Sequence, residues 1–201
     1  MKPSSKYEKQ LHKLGYTLIA GLDEAGRGSW AGPLVAGAVI LPPNKKFKGI
    51  RDSKLLSPQK RQKLFLQITK NAVSWSVGIV SHQEIDKMGI IPANRLAFER
   101  AVKKLQITPE YLLVDGVRNF SSNIPHQFII QGDRKIVSIA AASIIAKVIR
   151  DQILKTLHQL YPMYNFEKHK GYGTKEHLKY LSEYGPSEIH RLSYKPMLDE
   201  L

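Results

Sequence analysis

The amino-acid sequence predicts an α/β fold: a mixed β-sheet flanked by helices, with a small helical carboxy-terminal part. Three observations carry that expectation. Short apolar runs rich in β-branched residues recur along the chain, as buried strands do. Two such strands come first, and helical and strand patterns then alternate, the order of a mixed sheet. A long helical periodicity fills residues 137–160, and the remainder is loop-rich.

Residues 1–16 read as a short basic helix or arm with Leu11 and Leu14 as its apolar contacts. Residues 17–22 and 34–41 read as strands, with Gly26, Gly28, Gly32 and Pro33 between them and Pro42-Pro43-Asn44 ending the second. Ser57 and Pro58 have the chemistry of a helix cap and first helical position, with Leu64, Phe65 and Ile68 following at helical spacing. Residues 72–80 alternate like a half-buried strand. Pro92 is expected to begin the next helix, along which Leu96, Ala97, Arg100, Ala101 and Leu105 step. Residues 111–114 and 127–130 are short strands. The 137–160 helix carries Ile139, Ala142, Ala146, Ile149, Ile153 and Leu157 on its buried face, and one more helix lies near 175–184.

A chain of 201 residues suits one domain with its own core. No apolar run approaches the roughly 20 residues that span a bilayer, and the polar amino terminus lacks a secretory apolar stretch. The expectation is a cytoplasmic protein that does not enter membranes. With no cysteine, disulfides, thiolate metal sites and cysteine nucleophiles are excluded. The net charge is +14, and between Lys45 and Lys70 nine basic residues face Asp52 alone. Such a field attracts polyanions, nucleic acid first among them.

Against that basic background, four acids share one context. Asp23 and Glu24 close the first predicted strand, Asp115 closes a later one, and Asp133 follows another. Acids are unfavourable in strands, and several converging at strand ends need a compensating cation. Adjacent strand residues point to opposite faces, so Asp23 and Glu24 share a metal only if the strand ends or bends there, as Gly26 suggests. Two hard cations about 4 Å apart activate water and stabilise the leaving oxygen of a phosphodiester. No zinc site competes, because the seven histidines form no HExxH pair. Singly, Asp115-Gly116 and Gly132-Asp133 would read as turns.

Longer motifs surround these acids. Gly21-Leu22-Asp23-Glu24-Ala25-Gly26-Arg27-Gly28 is followed by Ala31-Gly32-Pro33-Leu34-Val35-Ala36 and Asp52-Ser53-Lys54-Leu55-Leu56-Ser57. Leu113-Val114-Asp115-Gly116 comes next, then Gly132-Asp133 ahead of an alanine-rich helix ending in Arg150-Asp151, then His169-Lys170-Gly171-Tyr172-Gly173-Thr174-Lys175-Glu176-His177. The tail has Gly185-Pro186-Ser187-Glu188-Ile189-His190-Arg191. In this order the motifs resemble bacterial ribonuclease HII, a type 2 RNase H, over about residues 17–195.

The resemblance implies an RNase H-like mixed sheet in a catalytic domain over 17–201, whose helical part from about 160 grips the substrate. It implies that Asp23, Glu24, Asp115 and Asp133 bind two divalent ions, Mg²⁺ or Mn²⁺. The implied reaction cuts the RNA strand of RNA–DNA hybrids and the 5′ side of a ribonucleotide embedded in duplex DNA, leaving 3′-hydroxyl and 5′-phosphate ends. The implied enzyme is a monomer. Gly26-Arg27-Gly28 matches the segment that reads the ribose 2′-hydroxyl and adjacent phosphate, and Tyr172 matches the tyrosine that senses the ribo–deoxyribo junction. Lys54, Ser143 and Lys147 are candidate phosphate contacts, while Asp151 is expected in a local ion pair. Ser29-Trp30 and Gly173 depart from the Pro-Leu and Pro commoner in relatives, which predicts a looser loop at 173; residues 191–194 also vary the usual tail. A DNA-directed nuclease of the same superfamily would lack the Gly-Arg-Gly and tyrosine readers. A non-catalytic nucleic-acid-binding module would have no use for four acids that repel its ligand.

Overall fold

The computed structural model describes residues 3–43, 45–50, 53, 56–116 and 120–198. In chain order the elements are α1 (Lys6–Lys13), β1 (Ile19–Ala25), β2 (Leu34–Ile40), α2 (Pro58–Asn71), β3 (Ser74–Val80), α3 (His82–Met88) and α4 (Ile90–Lys103). Then come β4 (Tyr111–Asp115), β5 (His126–Ile129), α5 (Val137–Leu160), α6 (Phe166–His169), α7 (Lys175–Tyr184) and α8 (Lys195–Leu198). The strands form one sheet in the order β3-β2-β1-β4-β5. Its β1–β2 and β2–β3 pairs are antiparallel, and β1–β4 and β4–β5 are parallel. The mixed sheet flanked by helices is therefore the architecture found.

Helix α4 covers one face of the sheet, where Ala97, Phe98 and Ala101 meet Leu22, Ala36 and Leu112. On the other face α5, with α2 beside it, lies almost on the backbone of β1 and β2. A Cβ at Gly21 would stand 2.2 Å from the Ser138 carbonyl carbon, and one at Gly37 would stand 2.5 Å from the Ala142 oxygen. Glycine at these two positions lets a helix settle against the sheet and carries α5 past the end of β1. Among the described residues no helix is long and apolar enough to cross a membrane.

The arm is tied to the same helix. Ile136 at the start of α5 supplies no side-chain cap. Instead Glu8 of α1 accepts hydrogen bonds from the Ser138 amide (3.0 Å) and hydroxyl (2.9 Å), satisfying an otherwise open donor of the first turn. Leu11 packs with Ile19, Leu113 and Ile139 beneath the sheet, while Leu14 is exposed.

Several local expectations shift. The first strand does not end before the acids: β1 runs through Asp23 and Glu24, which pair with Gly37 and Ala36, and the turn falls at Gly26 (φ +93°). Ladder pairing with β2 outweighs the poor strand propensity of two acids. Helix α4 begins at Ile90, two residues before Pro92, because the first helical turn tolerates a residue without an N–H. Helix α3 was not anticipated. It is opened by a capping box in which Ser81 Oγ accepts from the Glu84 amide and the Glu84 carboxylate accepts from the Ser81 amide.

Candidate active site

Because β1 continues through both acids, Asp23 and Glu24 leave opposite faces of the strand. Asp23 is buried on the α5 side, where Ser143 hydrogen-bonds it, and Glu24 turns to the α4 side, where Asn94 does the same. The adjacent strand β4 ends at Asp115, which acts electrostatically on both. Asp133 is buried in a 3-10 turn (Gly132–Arg134) before α5, and that turn is fastened to β4: the Gly132 amide donates to Asp115 Oδ1 at 2.6 Å. Gln131, just before it, holds a left-handed conformation (φ 55°) that non-glycine residues adopt at a cost.

All four acids thus reach one end of the sheet, and their charges conflict. Burial first, then Glu24 and Asp115 and lastly Asp133, hold the Asp23 carboxyl well above the usual carboxylate range despite the Ser143 hydrogen bond. Burial and the neighbouring Asp115 push Glu24 up to about 7, against Arg27 and Asn94. Among the described residues no three acidic or histidine side chains form a ready metal cage. Repelling carboxylates turn to local donors instead: Asp23 Oδ1 accepts from the Glu24 amide at 2.7 Å and Asp115 from Gly132. The donor set, all carboxylate oxygen and mutually repulsive, fits hard divalent cations, whose charge would relieve the conflict.

Beside the acids lies the glycine-arginine segment. A Cβ at Gly26 would fall 2.0 Å from Arg150 Nε, so the fold itself requires glycine there. Gly28 differs: it is exposed, its φ is not positive, and no atom lies within 4 Å of the place a Cβ would take. Nothing among the described residues accounts for that glycine. Ser29 then pairs with Tyr172 in an isolated antiparallel bridge, and the Trp30 amide donates to the Gly171 carbonyl at 2.8 Å. The fold therefore joins the two predicted reading segments directly.

The tyrosine ring is half-buried, with Lys147 Nζ and Arg150 Cζ each 5.3 Å from its centroid. The loop around it is held, not loose. The Trp30 indole fills the space beside Gly173, where a Cβ would meet it at 2.3 Å. The two departures from the family pattern, Trp30 and Gly173, touch one another: the large ring occupies room that a proline at 173 would need.

Comparison with known proteins decides what this arrangement belongs to. A family profile described as Ribonuclease HII matches residues 20–197. The chain belongs to the ribonuclease HII family. It is 50% identical over 187 residues to the ribonuclease HII of Caldicellulosiruptor saccharolyticus, covering 93% of this chain and 91% of that one. It is 49% identical over 201 residues to that of Chlamydia muridarum, covering 100% and 92%. Among solved structures, the ribonuclease H2 of Pyrococcus horikoshii superposes with a TM-score of 0.77 at 28% identity, covering 90% of this chain and 95% of that one. The ribonuclease HII family cleaves RNA in RNA–DNA hybrids, and the fold is RNase H-like.

The remaining candidates of this ribonuclease HII chain fall in different places. Ser143 is buried, bonded to Ser53 Oγ at 2.9 Å and to Asp23, so it sits in the wall of the acidic cleft. Lys147 lies between the Tyr172 ring and Asp151, whose Oδ1 is 2.7 Å from its Nζ. Asp151 also meets Arg61 at 3.3 Å, the local ion pairing expected of it. Lys54 lies outside the described residues.

Sequence reasoning missed Asn94, Arg150 and Arg191. Asn94 is one polar residue on the buried face of α4, a signal too local to read as a partner for Glu24. Arg150 continues the buried stripe Ala146–Arg150–Leu154, a cation at a core position that could have been noticed. It is fully buried and donates to the carbonyls of Pro33 (2.9 Å), Lys170 (2.9 Å) and Ala31 (3.1 Å). Burial lowers its pKa to about 10, which leaves it charged at neutral pH. Arg191, equally buried, donates to the carbonyls of Gly32 and Arg27. Two buried cations thus clamp the loop that carries Arg27.

Proposed function

We propose that this ribonuclease HII cuts the RNA strand of RNA–DNA hybrids and, in duplex DNA, the 5′ side of an embedded ribonucleotide, leaving 3′-hydroxyl and 5′-phosphate ends. Asp23, Glu24, Asp115 and Asp133 would hold two divalent ions, Mg²⁺ or Mn²⁺. When bound, such ions supply Lewis acidity and a water activated for in-line attack. The chain's own residues do the rest. Asn94 and Ser143 orient Glu24 and Asp23, the exposed Gly28 leaves backbone open to a sugar, and Arg27 offers a phosphate contact. Tyr172, bridged to Ser29 and backed by Lys147 and Arg150, meets the sugar next to the cut. The 2′-hydroxyl is what distinguishes RNA from DNA at such a site.

The observation that carries this reading is the pairing of Ser29 with Tyr172 at the edge of a four-acid cleft. Residues 17–201 act as one catalytic domain, with the part from about 160 gripping the duplex and residues 1–16 bracing α5. The enzyme works as a cytoplasmic monomer on nucleic acid, not at a membrane. The test uses duplex DNA with one ribonucleotide, the same duplex without it, and a long hybrid, each with and without Mg²⁺ or Mn²⁺. Metal-dependent cutting 5′ to the ribonucleotide and within the hybrid, with the all-DNA duplex intact, is expected. Equal cutting of all-DNA duplex, or none with any divalent ion, overturns the proposal.

A further inference from the structure

In the tail Ser187–Arg191, Arg191 clamps the Arg27 loop, and the tail as a whole touches both segments that would read the ribose. Arg191 donates through Nη1 to the Arg27 carbonyl (3.1 Å), and its amide donates to the Trp30 carbonyl (2.7 Å). His190, one residue earlier, reaches the other segment through a second histidine. The Ser187 amide donates to His190 Nδ1 at 2.8 Å, where Ser187 Oγ is also within 2.8 Å. An imidazole nitrogen that accepts from an amide carries no proton, so the neutral ring holds its proton on Nε2. His190 Nε2 therefore donates to His177 Nε2, 2.9 Å away. That assigns the His177 proton to Nδ1, which donates to the Tyr172 carbonyl at 3.0 Å.

Every link runs in one direction: Ser187 amide, His190, His177, Tyr172 carbonyl. Facing Nε2 atoms can share only one proton, so the relay requires both rings neutral. Burial favours this, lowering His177 to about 3 and His190 to about 4. A third histidine closes the other side of the loop, with His169 Nδ1 accepting from the Gly171 amide (3.2 Å) and its Nε2 facing the Tyr164 carbonyl (2.6 Å). The Tyr172 carbonyl also accepts from the Thr174 amide at 2.9 Å. The tyrosine thus stands on a buried, fully directed hydrogen-bond chain.

We propose that His190 and His177 are positioning residues for ribose recognition, a relay by which the tail holds Tyr172 in register with the Arg27 segment that Arg191 holds. This rests on the reading of Tyr172 as the sensor of the ribo–deoxyribo junction. The relay sets selectivity between a single embedded ribonucleotide, which presents that junction, and a long hybrid, which does not.

Two near-isosteric variants separate this role from simple packing. His190→Gln keeps an N–H donor where Nε2 stood and loses the acceptor for Ser187. His190→Asn keeps the acceptor at the Nδ1 position and loses the donor to His177. The readout is the ratio of cutting at one ribonucleotide in duplex DNA to cutting of a long hybrid, with thermal melts to confirm folding and Tyr172→Ala as reference. His190→Asn and His177→Leu are expected to lower the ratio about tenfold, as Tyr172→Ala does, while His190→Gln retains it. If the leucine variant does not fold, the Asn–Gln pair alone carries the test. Equal ratios in the Asn and Gln variants, with Tyr172→Ala reduced, overturn the relay. A ratio that Tyr172→Ala leaves unchanged overturns the reading of Tyr172, and the relay with it.

Discussion

In the acidic cleft, Asp23, Glu24, Asp115 and Asp133 are brought together by the ends of β1 and β4 and the turn before α5; Glu24, Asp115 and Asp133 make Asp23 harder to ionise, and Asp115 does the same to Glu24. Around the Tyr172 loop the buried charges are of the other sign, and they are satisfied from within. Arg150 and Arg191 find carbonyls at 31–33, 27 and 170, His190 and His177 bond one to the other, and His169 bonds the backbone beside them. In one region buried carboxylates repel one another, a conflict that the proposed cations would relieve. In the other the buried arginines and histidines are hydrogen-bonded within the protein. On the proposed reading, preorganised loops beside a carboxylate-crowded cleft would let recognition cost little reorganisation, while the chemistry would wait for a cation.

Asp23→Asn gives the largest contrast. Turnover should fall at least about 10³-fold. Removing one of several buried like charges should nevertheless raise the melting temperature of chelator-treated protein. A variant that loses both activity and stability would make Asp23 a structural residue and erase the contrast.

The two glycines sharpen the boundary between the regions. Gly26→Ala drives a Cβ into Arg150 at positive φ and should cost about 2 kcal/mol or more of stability. Gly28→Ala should leave stability within about 0.5 kcal/mol of wild type, yet still depress cutting at a ribonucleotide, because on the proposed reading the new methyl would stand between backbone and sugar. Denaturant unfolding and cleavage assays on both variants check this. Equal loss of stability in the two would mean that Gly28, too, serves the fold.

The histidines give a smaller, pH-dependent effect. Their folded pKa values, about 3 for His177 and about 4 for His190, lie below the roughly 6.5 of an unfolded chain. The unfolded state therefore binds protons first. The contribution of these rings is fully present above pH about 6.5 and is lost as pH falls towards the folded values. His169 faces both rings and His82 acts on His190, so they belong to the same acid-sensitive cluster. His190→Gln should flatten the fall in stability across that window, measured by melts in a pH series.

Much of this was legible in the residues, unevenly. The boundaries of α5, which has no side-chain cap, and of α7, capped by Thr174 Oγ1 accepting from the His177 amide, follow from strong helical periodicity. The buried face of α5 is read from the sequence as Ile139, Ala142, Ala146, Ile149, Ile153 and Leu157; the first three are fully buried, but further along Arg150 and Leu154 are more deeply buried than Ile149, Ile153 and Leu157, because apolar patterning gives no weight to an arginine that finds three carbonyls. The acids were legible as a group, but the path of β1 through Asp23 and Glu24 was not, because ladder pairing with β2 is a long-range contact. The histidine relay was the least legible, since its links join residues 172, 177, 187 and 190 through loop geometry that no local pattern encodes.

Calorimetric titration of Mg²⁺ into the chelator-stripped protein, in wild type and in Asp23→Asn, tests most directly whether the cleft is completed by a cation. Saturable binding to wild type that disappears in the asparagine variant is expected. Equal binding in the two proteins, or none in a wild type that still cuts, would contradict the account.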